Sequence, residues 1–120
     1  MTQERLSLGR RGEDAAAQYL LQQGMKIVER NLRTPVGEID LIACDRNILA
    51  FVEVKTRRGS AFGSPGEAVG PHKQRQIIRT AKWYLNNYPH KKLQPRFDVI
   101  AIRVQGDDFQ IEHIPGAFEV

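Results

Sequence analysis

Alternating apolar and charged positions run through residues 37–43 and again through residues 49–57. Both stretches are rich in Ile, Val, Leu and Phe, and charges recur at every second position, which predicts two β-strands. The polar segment Asp45 to Asn47 between them predicts a turn, so the two strands form an antiparallel hairpin. If Arg46 and Asn47 form the centre of the turn, two residues that face each other across the hairpin are equally far from that centre.

This register places Asp40 opposite Glu53 and Glu38 opposite Lys55, with all four side chains on one face of the sheet. Carboxylates that face each other directly have Cβ atoms about 4.5–5.5 Å apart and repel, so the pair requires a compensating charge. Mg²⁺ and Mn²⁺ prefer such oxygen ligands. The sequence therefore predicts a cation held by Asp40 and Glu53, with the Val54 carbonyl as a further ligand.

An acid two residues before a lysine also occurs on ordinary solvated strands, so the pattern has a second interpretation. Val52 and Val54 occupy one face of the strand, whereas Leu49 and Phe51 occupy the other. A strand that is apolar on both faces is typical of the centre of a sheet, where charges seldom serve only to face solvent. The central position favours a functional site.

Five further elements follow from periodicity and from Gly and Pro signals. They are a helix from Ser7 to Gln23 capped by Gly24, a strand from Met25 to Arg33, a helix that begins at Gly70 and Pro71, and strands from Arg96 to Val104 and from Phe109 to Ile114. The order α-β-β-β-α-β-β predicts one α/β domain over residues 1–120. Its mixed five-stranded sheet is flanked by the two helices, with a right-handed crossover into the fourth strand.

Glu13 lies on the face of the first helix that carries small and apolar residues, where a carboxylate needs a partner. Two interpretations remain open from the residues alone. Glu13 is either an acid in the first turn, favoured by the helix dipole, or a third carboxylate at the metal. Gly9 and Gly12 on either side allow this turn to approach the sheet or a phosphate closely.

The net charge of +4 and the pI near 9.5 permit binding to a polyanion, and the clustering of basic residues is more informative. Two arginines enter a loop rich in Gly, Ser and Pro over residues 58–66, which is either substrate-facing or a plain surface loop. The second helix carries a basic row, and Lys73 stands on its inner side one turn before Ile77. The predicted nucleic-acid contacts are Arg57, Arg58, Lys73, Arg75, Arg79 and Lys82.

Several classes of protein are disfavoured. The single cysteine, Cys44, cannot form an internal disulfide. None of the three histidines pairs at metal-ligand spacing and no Gly-x-Ser-x-Gly elbow occurs, which argues against zinc and serine hydrolases. Without a long apolar run or a signal-type segment, a cytoplasmic location is expected. Asp98 opens the fourth strand and is expected to be structural.

Asp40 followed by Glu53-Val54-Lys55 resembles the D…(D/E)xK signature of the restriction-endonuclease-like nuclease superfamily. Over almost its whole length the sequence is similar to the YraN-type family of small bacterial proteins. The matching segments are residues 12–16, 30–31, 37–43, 51–57, 62–63, 73, 81–85, 96–99 and 117–118. Ile39 stands where the nominal signature has proline, and the Gln-x-x-x-Tyr element of some relatives does not follow Lys73.

The resemblance implies a restriction-endonuclease-like core, related to archaeal Holliday-junction resolvases. It places Glu13, Asp40 and Glu53 at the metal positions, and Asp40, Glu53 and Lys55 at the catalytic positions. The expected function is Mg²⁺-dependent or Mn²⁺-dependent DNA endonuclease activity, with duplex or branched DNA and a second copy of the chain as expected partners. The alternatives are a non-catalytic nucleic-acid-binding or scaffolding module that keeps the fold and, third, a role in RNA processing.

Overall fold

The computed structural model describes residues 3–58, 69–90 and 92–120. Its elements are α1 (Gln3–Gln22), β1 (Lys26–Thr34), β2 (Gly37–Asp45), β3 (Ile48–Arg58), α2 (Pro71–Asn87), β4 (Gln94–Gln105) and β5 (Asp108–Phe118). The predicted order α-β-β-β-α-β-β is confirmed. Among the described residues, no helix is both long and apolar enough to cross a membrane.

The five strands form one mixed sheet in the order β1-β2-β3-β4-β5. β3 and β4 run parallel, and the other neighbouring pairs run antiparallel. A parallel pair needs a crossover connection, which α2 supplies between β3 and β4. The predicted mixed sheet and the central place of β3 are therefore confirmed.

Each helix packs on its own face of the sheet, so the core has two apolar clusters. The α1-side cluster contains Ala50, Val52 and Val54 of β3, and the α2-side cluster contains Leu49 and Phe51. Side chains alternate between the faces along a strand, so β3 is buried from both sides, as its sequence predicts.

The first helix begins at Gln3, four residues before the predicted Ser7, because the intervening residues are mostly strong helix formers. Its carboxyl end lies at Gln22, one residue before the predicted Gln23, and Gly24 caps it as predicted. Gly24 has a φ of +90°, its N–H donates to the Leu21 carbonyl at 3.0 Å, and the Met25 N–H donates to the Leu20 carbonyl at 3.0 Å. This paired arrangement is the Schellman motif, which glycine favours because it adopts positive φ without strain.

The second helix begins with Pro71 after Gly70, as predicted, and buries Ile77, Ala81 and Tyr84. Leu85 is partly buried against the same α2-side cluster. Tyr88 lies just beyond the end of the helix at Asn87 and is 55% exposed, so it does not belong to this core.

The last strand continues to Phe118, beyond its predicted end at Ile114. The prediction ended the strand at Pro115 and Gly116 because both residues disfavour regular pairing. In the structure a register shift at this point lets the strand resume pairing, with Phe118 beside Phe97. β4 likewise begins at Gln94 rather than at Arg96.

Helix α1 packs closely against the sheet at Gly12. A Cβ atom on Gly12 would lie 1.9 Å from Thr56 Oγ1 and 2.9 Å from Thr56 Cβ, whereas a Cβ on Gly9 would meet nothing within 4 Å. The predicted close approach of this turn to the sheet therefore occurs at Gly12. It also fixes the neighbouring Glu13 relative to the end of β3.

Gly12→Ala is expected to destabilise the protein by about 1–3 kcal/mol, since the added methyl group overpacks the contact with Thr56. Gly9→Ala is the matched control in the same helix and is expected to be neutral or stabilising by up to about 1 kcal/mol. Urea unfolding of both variants measures the difference. Equal unfolding free energies for the two variants would contradict the Thr56 contact.

Candidate functional site

The β2–β3 hairpin has the predicted register, with Asp45 opposite Ile48 and Leu41 opposite Val52. The ladder ends at Leu41 and Val52, however, so the predicted pairs of Asp40 with Glu53 and of Glu38 with Lys55 do not form. Glu38 is exposed, and its carboxylate lies 3.6 Å from Arg33 Nε. The prediction that these four side chains share one face as two directly facing pairs is wrong.

The ladder between β2 and β3 ends at the point where the side chains of β1 and β2 switch from one face of the sheet to the other. Ile39 packs in the α2-side cluster and Leu41 in the α1-side cluster, although residues two apart on a regular strand share a face. In β1, Asn31 lies between the residues that pair with Ile39 and Leu41, and its φ is +52°. Asp40 lies at the switch, and its Oδ2 accepts the Val54 N–H at 2.8 Å. A carboxylate thus replaces the backbone partner that Val54 would otherwise need.

Glu53 is the buried carboxylate of the site, with only 8% of its side chain exposed. Its Oε1 lies 3.8 Å from Lys55 Nζ and 3.9 Å from Lys73 Nζ. Lys73 comes from the first turn of α2 and lies on the inner side of the helix, as its spacing from Ile77 predicts. Burial and the negative charge of Asp40 raise the pKa of Glu53 to about 7, although both lysines act in the opposite direction.

The other two predicted metal ligands, Asp40 and Glu13, are partly buried. Burial raises the pKa of Asp40 despite the Val54 hydrogen bond and the nearby lysines. Burial, followed by the charge of Asp40, raises the pKa of Glu13. Because α1 begins at Gln3, Glu13 is well inside the helix, and its interpretation as a first-turn acid is wrong. Three carboxylates therefore act on one another at the end of β3.

The donor set suits a hard divalent cation, because it consists of carboxylate oxygens whose ionised forms are disfavoured by burial, a cost that a bound cation would reduce. The side chains do not converge as a preformed cage. Within residues 3–58, 69–90 and 92–120, no three His, Cys, Asp or Glu side chains are grouped closely enough to hold a metal ion. Asp40 bonds to Val54, and Glu53 is paired with the two lysines.

A cleft of about 570 Å³ opens between α1 and the end of β3 and leads to Asp40. It is lined by Leu8, Gly9, Glu13, Asn31, Asp40, Val54, Lys55, Thr56, Arg57 and Arg58. Asn31 and Thr56 were not among the predicted site residues. Asn31 carried a signal, since Asn tolerates positive φ better than most residues, whereas nothing in the sequence pairs Thr56 with Gly12.

The predicted basic residues divide between two places. Arg57 and Arg58 are exposed at the cleft, and Lys73 contacts Glu53. The α2 basic row, which consists of Arg75, Arg79 and Lys82, is exposed along the outer side of α2. These three residues are not brought to the carboxylates. The predicted substrate-facing loop falls mostly on residues 59–68, which lie outside the described residues.

A second charged cluster surrounds Asp98, which is completely buried. Its carboxylate accepts two hydrogen bonds from Arg96, at 2.8 and 2.9 Å, and one from the Gly116 N–H at 3.0 Å. His113 Nε2 lies 2.9 Å from the same carboxylate, and the His113 ring packs edge-on against Tyr19 of α1. These bonds join β4, β5 and their register shift, so Asp98 has the structural place that its sequence position predicts.

Comparison with known proteins gives a family and no activity. The model of the uncharacterised protein family UPF0102 matches residues 12–102, which include the three carboxylates, Lys55 and Lys73. A UPF0102 protein of Syntrophotalea carbinolica is 62% identical over 120 residues, covering 100% of this chain and 98% of the relative. Relatives from Desulfosudis oleivorans and Rhodococcus jostii are 49% identical over 119 residues (99% of this chain, 95% of the relative) and 51% identical over 114 residues (94% and 97%).

Proposed function

We propose a function from the site itself, because the chain belongs to the UPF0102 family and the name of that family states no activity. Membership of this family confirms the resemblance to YraN-type proteins. The protein is a Mg²⁺-dependent or Mn²⁺-dependent nuclease that hydrolyses phosphodiester bonds in DNA. One observation carries this proposal. The buried Glu53 of the central strand β3 lies close to Lys55 of the same strand and to Asp40 of the neighbouring β2, and a cleft lined by Asp40 and Lys55 opens to solvent beside them.

Asp40 and Glu53, together with Glu13, are the residues that would hold the cation. When bound, the cation supplies positive charge to the phosphate and makes water a better nucleophile at neutral pH. The Val54 N–H fixes the orientation of the Asp40 carboxylate from the protein side. Gly12 allows α1 to pack closely enough on β3 to keep Glu13 beside the pair.

Lys55 acts on the substrate. Its ammonium group lies 3.8 Å from Glu53, and 26% of its side chain is exposed, so it faces both the carboxylates and incoming phosphate. We assign it two roles, to orient the attacking water and to offset the negative charge that develops on the phosphate. A preorganised positive charge in a partly buried site is effective at this task because water screens it poorly.

Arg57, Arg58 and the α2 basic row contact the phosphate backbone in this proposal. Such contacts give affinity that depends on salt, and they convey no sequence preference. The net charge of +4 agrees with a polyanionic substrate. The proposed place within the restriction-endonuclease-like superfamily rests on the mixed sheet with a helix on each face and on the D…ExK residues at neighbouring strands β2 and β3.

The deciding experiment is a cleavage screen with Mg²⁺ and Mn²⁺ over duplex, flap, single-stranded and four-way DNA. The wild type is expected to cut at least one of these and to melt at a higher temperature with Mg²⁺, because a ligand that binds only the folded state stabilises it. Asp40→Asn is expected to lose both properties. Asp45→Asn, an exposed position on the same strand, is the matched control and is expected to keep both.

An equal Mg²⁺-dependent shift in the wild type and in Asp40→Asn would place the cation elsewhere.

The pairing of Glu53 with two lysines favours one second candidate, a binding module, because the two ammonium groups can neutralise the carboxylate without a metal. The screen distinguishes it. A wild type that cuts none of these DNA substrates but binds DNA equally well with and without metal is such a module.

A further inference from the structure

Two ammonium groups from different elements share one oxygen of Glu53. Lys55 lies two residues further along β3, and Lys73 reaches the same Oε1 from α2. The two nitrogens lie 3.8 and 3.9 Å from that oxygen, and Glu53 is nearly completely buried. A divalent cation at Glu53 would have to replace at least part of this neutralisation.

The position of Lys73 is unfavourable for the stability of helix α2. It lies in the first turn of α2, where the helix dipole favours acidic residues and disfavours basic ones. The first turn contains no acidic residue, and the N-cap Gly70 makes no side-chain capping bond. Helix stability therefore does not explain a lysine here, and the contact with Glu53 does.

We propose that Lys73 is a built-in counter-ion that occupies the cation's place beside Glu53 and is displaced when the cation binds. The released ammonium group then contacts the phosphate of the nucleic acid, so Lys73 couples cation binding to substrate binding. Lys73 thus regulates the site by exchanging Glu53 for the phosphate. The inference rests on the proposed metal site and goes beyond it.

Lys73 is better suited to this exchange than Lys55. Its side chain is 38% exposed, against 26% for Lys55, and it comes from a separate element rather than from the strand that carries Glu53. A lysine has a flexible four-carbon stem, so its charge can move several ångströms while the helix stays in place. The ammonium group can therefore leave Glu53 for solvent or phosphate without any change in the sheet.

Lys73→Met tests the inference, because methionine keeps the apolar stem and removes the charge. Arg75→Met, two residues further along α2 and exposed, is the matched control. Two quantities are measured for each variant. The first is the Mg²⁺ concentration at half of the maximal melting shift, without nucleic acid. The second is the affinity for a DNA duplex with phosphorothioate linkages, which suppress cleavage, in EDTA and in saturating Mg²⁺.

In Lys73→Met the Mg²⁺ midpoint is expected to fall roughly ten-fold, because one positive charge no longer competes at about 4 Å and solvent screens part of its effect. The gain in DNA affinity on adding Mg²⁺ is expected to shrink in this variant, since coupling between two ligands is reciprocal. Arg75→Met is expected to weaken DNA binding in both conditions and to leave the Mg²⁺ midpoint unchanged.

An unchanged or higher Mg²⁺ midpoint in Lys73→Met would overturn the inference, and the proposed function would stand if Asp40→Asn still abolished the shift. A wild type without any shift that depends on Asp40 would overturn the metal site, and the inference with it. Melting without metal checks that both variants fold. Lys73→Gln, a polar neutral replacement, should reproduce the lower midpoint.

Discussion

Lys55→Ala is expected to slow cleavage about 10²–10³-fold while the Mg²⁺-dependent rise in melting temperature remains. The substitution leaves Asp40, Glu53 and Glu13 in place, so the cation can still bind. It removes the charge that positions water and stabilises the phosphate as negative charge develops. Loss of a single preorganised group of this kind costs about 10²–10³ in rate, and the rate on the best substrate from the cleavage screen measures it.

Glu53→Gln is expected to lose cleavage and the Mg²⁺ shift together, which distinguishes it from Lys55→Ala. Glutamine keeps the shape of the side chain but provides only a neutral oxygen, so the cation loses a charged ligand. DNA binding in EDTA should hold or tighten, because a negative charge near the phosphate is gone. The paired measurement separates catalysis from cation binding at two residues that lie 3.8 Å apart.

Wild-type rates in Lys55→Ala would remove this residue from the chemistry, and a full Mg²⁺ shift in Glu53→Gln would remove Glu53 from the cation site. If both results were obtained, neither residue would have its proposed role, and only the fold of the protein would still agree with the proposed nuclease. Lys82→Ala is the control for Lys55→Ala, because it also removes a lysine that contributes to DNA binding. Lys82 lies on the outer side of α2, away from the carboxylates.

The hairpin shows how far local sequence patterns reach at this site. The turn at Arg46 and Asn47 determines the register, and the structure keeps that register up to Leu41 and Val52. The face switch beyond it could not be predicted, because Ile39 and Leu41 are both apolar and fit a regular alternation equally well. The switch depends on a neighbouring strand, where Asn31 has positive φ.

Other features depended on element ends or on distant contacts. The role of Glu13 could be judged only from the start of α1, and helix ends are the least certain part of a prediction from sequence. Lys73 was placed towards the sheet by its spacing from Ile77, which helical periodicity determines. That Lys73 and Lys55 contact the same residue, Glu53, could not be predicted, because it depends on how β3 and α2 are placed against each other. Gly12 and Thr56 meet across 44 positions in the sequence, a contact that no local pattern contains.

Asp98→Ala is expected to cost the fold about 3–5 kcal/mol, the largest loss of stability that we predict. Asp98 is completely buried, and removing it leaves Arg96, His113 and the Gly116 N–H without their acceptor. Removing Asp98 is costly because three donors lose their acceptor together, and His113, whose side chain is only 10% exposed, cannot bond to water instead. Asp107→Ala, at the exposed turn before β5, is the matched control and should change unfolding free energy by less than about 0.5 kcal/mol.

The acid dependence of stability provides a sharper test with Asp98→Asn, which keeps the size of the side chain. Burial alone would raise the pKa of Asp98, but the hydrogen bonds from His113, Arg96 and Gly116 outweigh it and lower the pKa below its ordinary value. A carboxylate whose pKa is lower in the folded state stabilises the protein above its unfolded pKa of about 3.9, and this contribution is lost as the pH falls through the folded value. The unfolding free energy of the wild type should therefore fall more steeply than that of Asp98→Asn from pH 5 downwards. Parallel curves for the two proteins would mean that the Asp98 carboxylate has the same proton affinity in the folded and unfolded chains, contrary to its hydrogen bonds.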